Sequence, residues 1–411
     1  MNLKKSIYKQ AAVICLVMPL IVICKVTSAS DTRLIPIINF LLEDNNPFGL
    51  DPNLPPWENF DLSDWGLDSP ALRQIDAPSS SSNFERGVRI EDFEFVALNQ
   101  GPSSSGFTSA FNNFFGTGTG NDNFEATSPY FYTGSDGGMV FKSPVNGGRT
   151  STNTRFPRSE LREMLRAGNR AFGTQGVNEN NWALGYQPQN LSLGAHANNN
   201  ATAIGGRNGK LTATLRVNQV TSTGRNSRVG RVIIGQIHAD DDEPLRLYYR
   251  KLPQNERGGI YFVHEIRGGD DLDNFDIVGS SANPPSNDPY TGPPFNDPAN
   301  GIALDELFSY EISNVGSLIT VIIRRGDRDG EIIGQETIDM AQLNSGYDLA
   351  DEWMYFKAGA YSQNNTEVST NRTDGRGAAT TGFGVDIDGD GIGDEPDYDQ
   401  ATFYRIENTH D

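Results

Sequence analysis

Cysteine is nearly absent from this sequence: there are two in 411 residues, Cys15 and Cys24, and both sit within the first 24 positions. The rest of the chain therefore cannot carry a disulfide framework and has to be held by core burial, with or without metal. Long apolar runs are also missing. The only one, 11–24, is 14 residues broken by Pro19, short of the roughly 20 that a membrane span needs. Positive charge is the third shortage. There are 33 Lys and Arg against 53 Asp and Glu, a net −20, which argues against a nucleic-acid partner and for solubility.

The single apolar run has a different reading. Lys4, Lys5 and Lys9 precede it and the small residues Thr27, Ser28 and Ala29 follow it. Basic start, apolar stretch and small-residue site in that order predict a secretory signal peptide over 1–29. A lipid-anchored Cys24 is the lesser alternative, because Ile23 stands where a lipoprotein signal needs a small residue. Removal of the segment takes away four lysines and no acid, moving the net charge from −20 to −24. The expected destination is extracellular or periplasmic, with no membrane partner for the mature chain, which we expect to be a monomer.

Residues 30–56 are acidic and rich in Asn and Pro and read as an N-terminal arm or linker. From Trp57 to the end, glycine-punctuated runs of β-branched and aromatic residues predict one large all-β domain, 57–411, built as a sandwich or jelly roll. Strand-like runs fall at 130–132, 211–217, 231–238, 245–251, 260–266 and 317–325; only 305–312 has a helical flavour. The stretch SSANPPSNDPYTGPPFNDPAN (280–300) has too much Pro, Asn and Asp for a strand and reads as a functional or unstructured loop.

Alternate side chains of a strand share a face. By that rule Arg158, Glu160 and Arg162 point one way, with Leu161 opposite. Gln236 and His238 share a face opposed to Gly235 and Ile237. In the segment 355–363, Tyr355, Lys357, Tyr361 and Gln363 fall together. Each pattern taken singly is also what an ordinary solvated strand displays.

Taken in chain order, RSELR (158–162), QIH (236–238) and YFKAGAYSQ (355–363) resemble the three signature strands of the alginate lyases of polysaccharide lyase family 7. The resemblance extends through FDLSDWGLDSP (60–70), YFYTGSDGGMVF (130–141) and the terminal ATFYRIENTH (401–410). It implies a β-jelly roll with a concave polymer-binding face and alginate as the partner. It further implies β-elimination: the C5 proton of a 4-linked uronate is removed and the O4 bridge expelled. That proton is acidified only if the adjacent carboxylate is neutralised. Arg158 is suited to this by its permanently charged fork, with Gln236 and His238 as further donors.

By the same resemblance Tyr361 protonates the leaving oxygen and also serves as base for mannuronate, whereas His238 is the base for guluronate. A tyrosine of ordinary pKa, about 10, needs a cationic neighbour for that, and Lys357 or Arg162 could supply it. Glu160 is expected to orient the two arginines, and Lys357, Gln363, Tyr355 and Arg162 to contact sugar. Arg216 and Arg246 could extend the groove; His264 reads as structural, and His196 and His410 have no evident partner. Isoleucine in QIH implies activity on guluronate-containing chains. The large insertions, with LRLYYRKLP (245–253), resemble the exolytic branch.

The acidic run near the end has the ligand spacing of a calcium loop. It comprises Asp386, Asp388, Asp390, the Ile392 carbonyl, Asp394 and Asp397, with Gly391 at the turn position. Its expected role is structural, with no cofactor in catalysis. Rival readings are a non-catalytic carbohydrate-binding module on the same scaffold, a lyase for another polyuronate such as glucuronan, and a glycoside hydrolase. The last would need paired carboxylates at the cleft, and the nearest cluster, Glu91, Asp92 and Glu94, lacks a surrounding strand pattern.

Overall fold

The computed structural model describes residues 46–72, 129–147, 150, 154–165, 181–184, 207–239, 242–283, 294–347, 353–365 and 395–411, with short strands at 16–18, 21–23, 87–88 and 383–385. Two units separate, 1–49 and 50–411. In the first, β1 (Leu16–Met18) and β2 (Ile21–Ile23) pair as an antiparallel hairpin. The signal-peptide reading of 1–29 otherwise lies outside the described residues. Among the described residues no helix is long and apolar enough to cross a membrane.

The second unit opens with one helical turn, α1 (Pro56–Asn59). Strands follow: β3 (Trp65–Leu72), β4 (Gly87–Val88), β5 (Phe131–Thr133), β6 (Met139–Pro144), β7 (Arg158–Glu163), β8 (Trp182–Ala183), β9 (Gly209–Gln219), β10 (Arg231–His238), β11 (Leu245–Arg250), β12 (Gly259–Glu265), β13 (Asp271–Val278), β14 (Phe308–Val315), β15 (Leu318–Arg325), β16 (Ile332–Asp339), β17 (Trp353–Ser362), β18 (Phe383–Val385), β19 (Glu395–Pro396) and β20 (Tyr398–Thr409).

Two antiparallel sheets result. One runs β13-β12-β11-β10-β17-β7-β3-β4, with β8 also on β17; the other runs β16-β15-β14-β9-β20-β6-β5. The three motif strands β10, β17 and β7 are therefore direct neighbours at the centre of the first sheet, although some 200 residues separate the first from the last in sequence. Between the sheets lies a large apolar core that includes Leu67, Leu161, Ile234, Ile237, Phe356 and Ala358 from the first sheet and Leu215, Tyr310, Ile312, Val321 and Phe403 from the second. Tyr310 places its hydroxyl across this core to donate to the Ile234 carbonyl, 2.9 Å away. The expected sandwich is what the chain builds.

The helical reading of 305–312 does not hold. Phe308, Tyr310 and Ile312 are buried while Glu311 and Val315 are not, a period of 2 that suits a strand paired to β9 and β15 on both sides. Eight residues are too few for a period to be read from sequence alone.

One irregularity decides what the first sheet displays. Register slips on β10 between Ile233 and Gly235 against both neighbours, the mark of a β-bulge. Ile234 joins the core, and a Cβ on Gly235 would lie 2.9 Å from the Tyr310 hydroxyl and 3.0 Å from Ile312. Two consecutive residues thus face inward. Ile233 on one side of the bulge and Gln236 on the other can then both face away from the core despite their odd spacing. Glycine at 235 is what permits the close approach.

Candidate active site

The side chains on the outward face of the central strands form rows set by the register. One row is Tyr261, Tyr248, Ile233, Tyr361 and Arg158; the next is Val263, Arg246, Gln236, Lys357 and Arg162; His238 opposes Tyr355 in a third. The structure therefore brings together Arg158, Glu160, Arg162, Gln236, His238, Tyr355, Lys357 and Tyr361 from three strands. Gln363 lies just past Tyr361, buried, its amide donating to the Ser362 carbonyl at 3.0 Å.

Glu160 is the centre of this group and is fully buried. Its carboxylate accepts from the Gln236 amide, from Lys357 Nζ at 2.7 Å and from Arg158 Nη1 at 3.3 Å. Lys357 also reaches Asp68 at 3.3 Å, from β3 at the next position in the sheet. The expectation that Glu160 orients both arginines needs correction. It holds Arg158, Gln236 and Lys357, while Arg162 lies 3.8 Å over the Tyr355 ring and donates to Met164 Sδ at 3.2 Å. Three cations, Arg158, Arg162 and Lys357, thus meet two acids, Glu160 and Asp68. Within this group the cations outnumber the acids by one, although the chain as a whole is acidic.

Tyr361 lies beneath Arg158, whose guanidinium carbon is 3.7 Å from the ring centroid. The cation on Tyr361 is thus Arg158 and neither Lys357 nor Arg162, because register sets Arg158 directly opposite Tyr361. Burial works against the Arg158 charge, but Tyr361, Glu160, Asp68 and Glu243 together hold it firmly protonated. One N–H of the Gln236 amide is engaged by Glu160; a primary amide keeps a second donor, and the Gln236 Oε1 and Arg158 Nε atoms are buried without a partner.

His238 is stacked on Tyr355 at 4.8 Å and 13°. Its Nδ1 faces the Ala239 carbonyl and its Nε2 lies 3.3 Å from Glu243. Burial pushes its pKa below the ordinary histidine value, with Glu243 pulling the other way. Glu243 ends the acidic run DDDE (240–243), where nothing in the sequence distinguished it from a solvated charge. Ile237 points into the core and is fully buried, so any influence it has on substrate passes through packing. Beside Tyr361 an apolar cluster of Phe156, Ile233, Tyr248, Tyr261 and Val263 covers the same face.

The remaining residues are elsewhere. Arg216 is on β9 of the other sheet, over Tyr404 and 3.9 Å from Asp136, so it is no part of this face. Arg246 is on the face, bonded to Glu265 at 2.8 Å and to Asp271. His264 is buried, with Nδ1 on the Pro244 carbonyl at 2.7 Å. His410, without a partner in the sequence reading, binds Glu163 at 2.6 Å. His196, Asp386, Asp388, Asp390, Ile392 and Asp394 lie outside the described residues. Asp397 is buried, and its two oxygens accept from the Ser222 and Thr223 amides and the Thr223 hydroxyl at 2.6–3.0 Å. No cluster of three or more His, Cys, Asp or Glu suited to a metal occurs among the described residues.

Comparison with known proteins bears on the family and the fold. The family profile described as alginate lyase matches residues 116–410. An alginate lyase of Klebsiella pneumoniae is 45% identical over 282 residues, covering 68% of this chain and 78% of that protein. A crystal structure of the alginate lyase from Klebsiella pneumoniae superposes with a TM-score of 0.60 at 37% identity, covering 87% of this chain and 99% of the other.

Proposed function

Because the chain belongs to the alginate lyase family, polysaccharide lyase family 7, we propose that it cleaves alginate by β-elimination at the Glu160-centred site. The observation that carries this is the convergence of Arg158, Gln236, His238 and Tyr361 around one buried carboxylate that fixes two of them. Arg158 and the free N–H of Gln236 grip the uronate carboxylate and stabilise the charge that grows on it as C5 loses its proton. For guluronate His238 takes that proton; for mannuronate Tyr361 does. The C5–H electron pair becomes the C4–C5 double bond, the C4–O4 bond breaks toward oxygen, and Tyr361 Oη supplies the proton to O4.

Guluronate-containing chains are the preferred substrate, on the strength of the isoleucine in QIH. Cleavage is exolytic: Arg250, opposite Arg231 at the end of the face, holds the start of the 280–300 insertion through the Ser281 carbonyl at 3.2 Å and Asn283 at 2.9 Å. The protein is secreted after loss of 1–29 and acts as a monomer. A calcium ion in the 386–397 loop is structural. Asp397 is already shared among three donors, so Asp386, Asp388, Asp390, the Ile392 carbonyl and Asp394 supply its ligands.

The test is ultraviolet absorbance of the mature protein with polyguluronate, polymannuronate and glucuronan beside Tyr361→Phe. Absorbance from a new conjugated double bond with alginate, abolished in the variant, is the expected result. Flat traces on all three with binding retained would instead leave a carbohydrate-binding module. Product sizes over the time course separate exolytic from internal cleavage.

A further inference from the structure

Behind His238 lies a group of charges that the elimination chemistry does not use. Glu243 places Oε1 3.3 Å from His238 Nε2, and its own amide donates to Glu265 Oε2 at 2.8 Å. Glu265 Oε1 is 2.8 Å from Arg246, which also pairs with Asp271. The side chains of His238, Glu243, Glu265 and Arg246 are 14, 20, 14 and 15% exposed, so this chain of contacts is largely withdrawn from water.

His238 is held between two acceptors, the Ala239 carbonyl at Nδ1 and the Glu243 carboxylate at Nε2. A neutral imidazole has one N–H and can satisfy only one of them. Burial holds the ring below the ordinary histidine value, and the side chain that works against burial, favouring a second proton, is Glu243 at Nε2. Other charges facing the ring oppose it: Lys357 from β17 and Arg158 from β7 both disfavour the imidazolium, as does burial. Tyr355 stacks on the ring from β17; Arg246 on β11 and Glu265 on β12 face Glu243. Arg246 and His238 hold the Glu243 carboxyl ionised against its burial.

We infer that Glu243, anchored by Glu265 and Arg246, is a positioning residue that sets the protonation and orientation of His238. It decides at what pH that ring becomes a free base for the guluronate reaction. The inference rests on the function proposed above for the kinetic part of its test, but not for the spectroscopic part. An ionised carboxylate within about 4–6 Å raises a histidine pKa by roughly one to three units. Its removal lowers the midpoint, and the neutral ring persists to lower pH.

The first measurement is a proton NMR titration of the histidine ring signals in the mature parent and in Glu243→Gln. With four histidines in the chain, His238 is assigned by the signal lost in His238→Gln. The expected result is a His238 midpoint lower by about one pH unit in Glu243→Gln, with the other rings unmoved. Glu243→Ser, at a partly exposed position, repeats the reading should the glutamine variant fold poorly. The second measurement is the pH profile of kcat/KM. Its acid limb should move down by a similar amount on polyguluronate and stay in place on polymannuronate, where Tyr361 takes the proton. A purely structural role would depress both substrates alike. An unmoved NMR midpoint, equal effects on both polymers, or a parent active on polymannuronate alone overturns the inference. Absence of elimination by the parent on every polymer, with the NMR shift present, instead removes the proposed function and leaves the Glu243–His238 coupling standing.

Discussion

Glu160→Gln is the substitution that most directly examines how this site is held. Glu160 is fully buried and neutralises Lys357 at 2.7 Å and Arg158 at 3.3 Å while accepting from Gln236. The amide has nearly the same shape, so packing survives, but two cations lose their shared counter-charge in a buried setting. Lys357 keeps Asp68 at 3.3 Å, and Arg158 keeps the Tyr361 ring and the more distant charges of Asp68 and Glu243. Breaking a buried ion pair on one side costs about 3–5 kcal/mol; with the remaining acid and the retained shape the low end applies. In a domain of this size, that corresponds to a fall in Tm of about 4 °C. Catalysis suffers separately, because Arg158 and Gln236 are no longer aimed. Loss of one donor to a developing oxyanion costs about 100-fold or more in kcat. Calorimetry and the absorbance assay, run on the same preparation, read both effects. Adding Arg158→Met to Glu160→Gln removes the cation left without a carboxylate contact, and should recover part of the lost Tm and none of the lost kcat. An unchanged Tm in the single variant, or recovered activity in the double, would refute the reasoning.

Three other perturbations have defined outcomes. Gly359 sits at φ +151°, and a Cβ there would come within 2.5 Å of the Ser159 carbonyl and 2.7 Å of Glu160 Cα. Gly359→Ala should therefore cost about 2 kcal/mol or more in urea unfolding and lower kcat by moving Glu160; an unchanged midpoint would contradict this. Burial pushes the His410 pKa down, but the contact with Glu163 outweighs it and raises the net value. A raised folded pKa means the stabilisation is complete below the unfolded value of about 6.5 and is lost as pH climbs through the folded one. His410→Gln should thus flatten the fall in urea midpoint between pH 6 and 8.5, and an unaltered slope would count against the pair. Chelation of divalent cations should lower Tm by stripping the loop at 386–397 while leaving kcat unchanged well below Tm; an unmoved Tm would remove calcium from the account.

The sequence by itself determined the strand faces. Arg158, Glu160 and Arg162 against Leu161, and Gln236 and His238 against Ile237, follow from a period of 2 that holds wherever one face of a strand is buried. Those motifs in order also carried the family. Tertiary structure decided everything that depends on which strands are neighbours. That β10, β17 and β7 lie side by side follows from sheet pairing over long sequence separations, for which local pattern holds no information. The bulge at Ile234 and Gly235 depends on how Tyr310 from the opposite sheet meets the strand. Partner choice was invisible for the same reason. Glu160 was read with the arginines of its own strand, since alternation is a local rule, yet its strongest contacts come from Gln236 and Lys357 on other strands. Glu243 was one acid in a run of acids until folding set it against His238, and His410 acquired a partner only when the last strand closed onto the sheet beside Glu163. Charge type is written in the chain, whereas the distance between charges, which sets their effect, belongs to the fold.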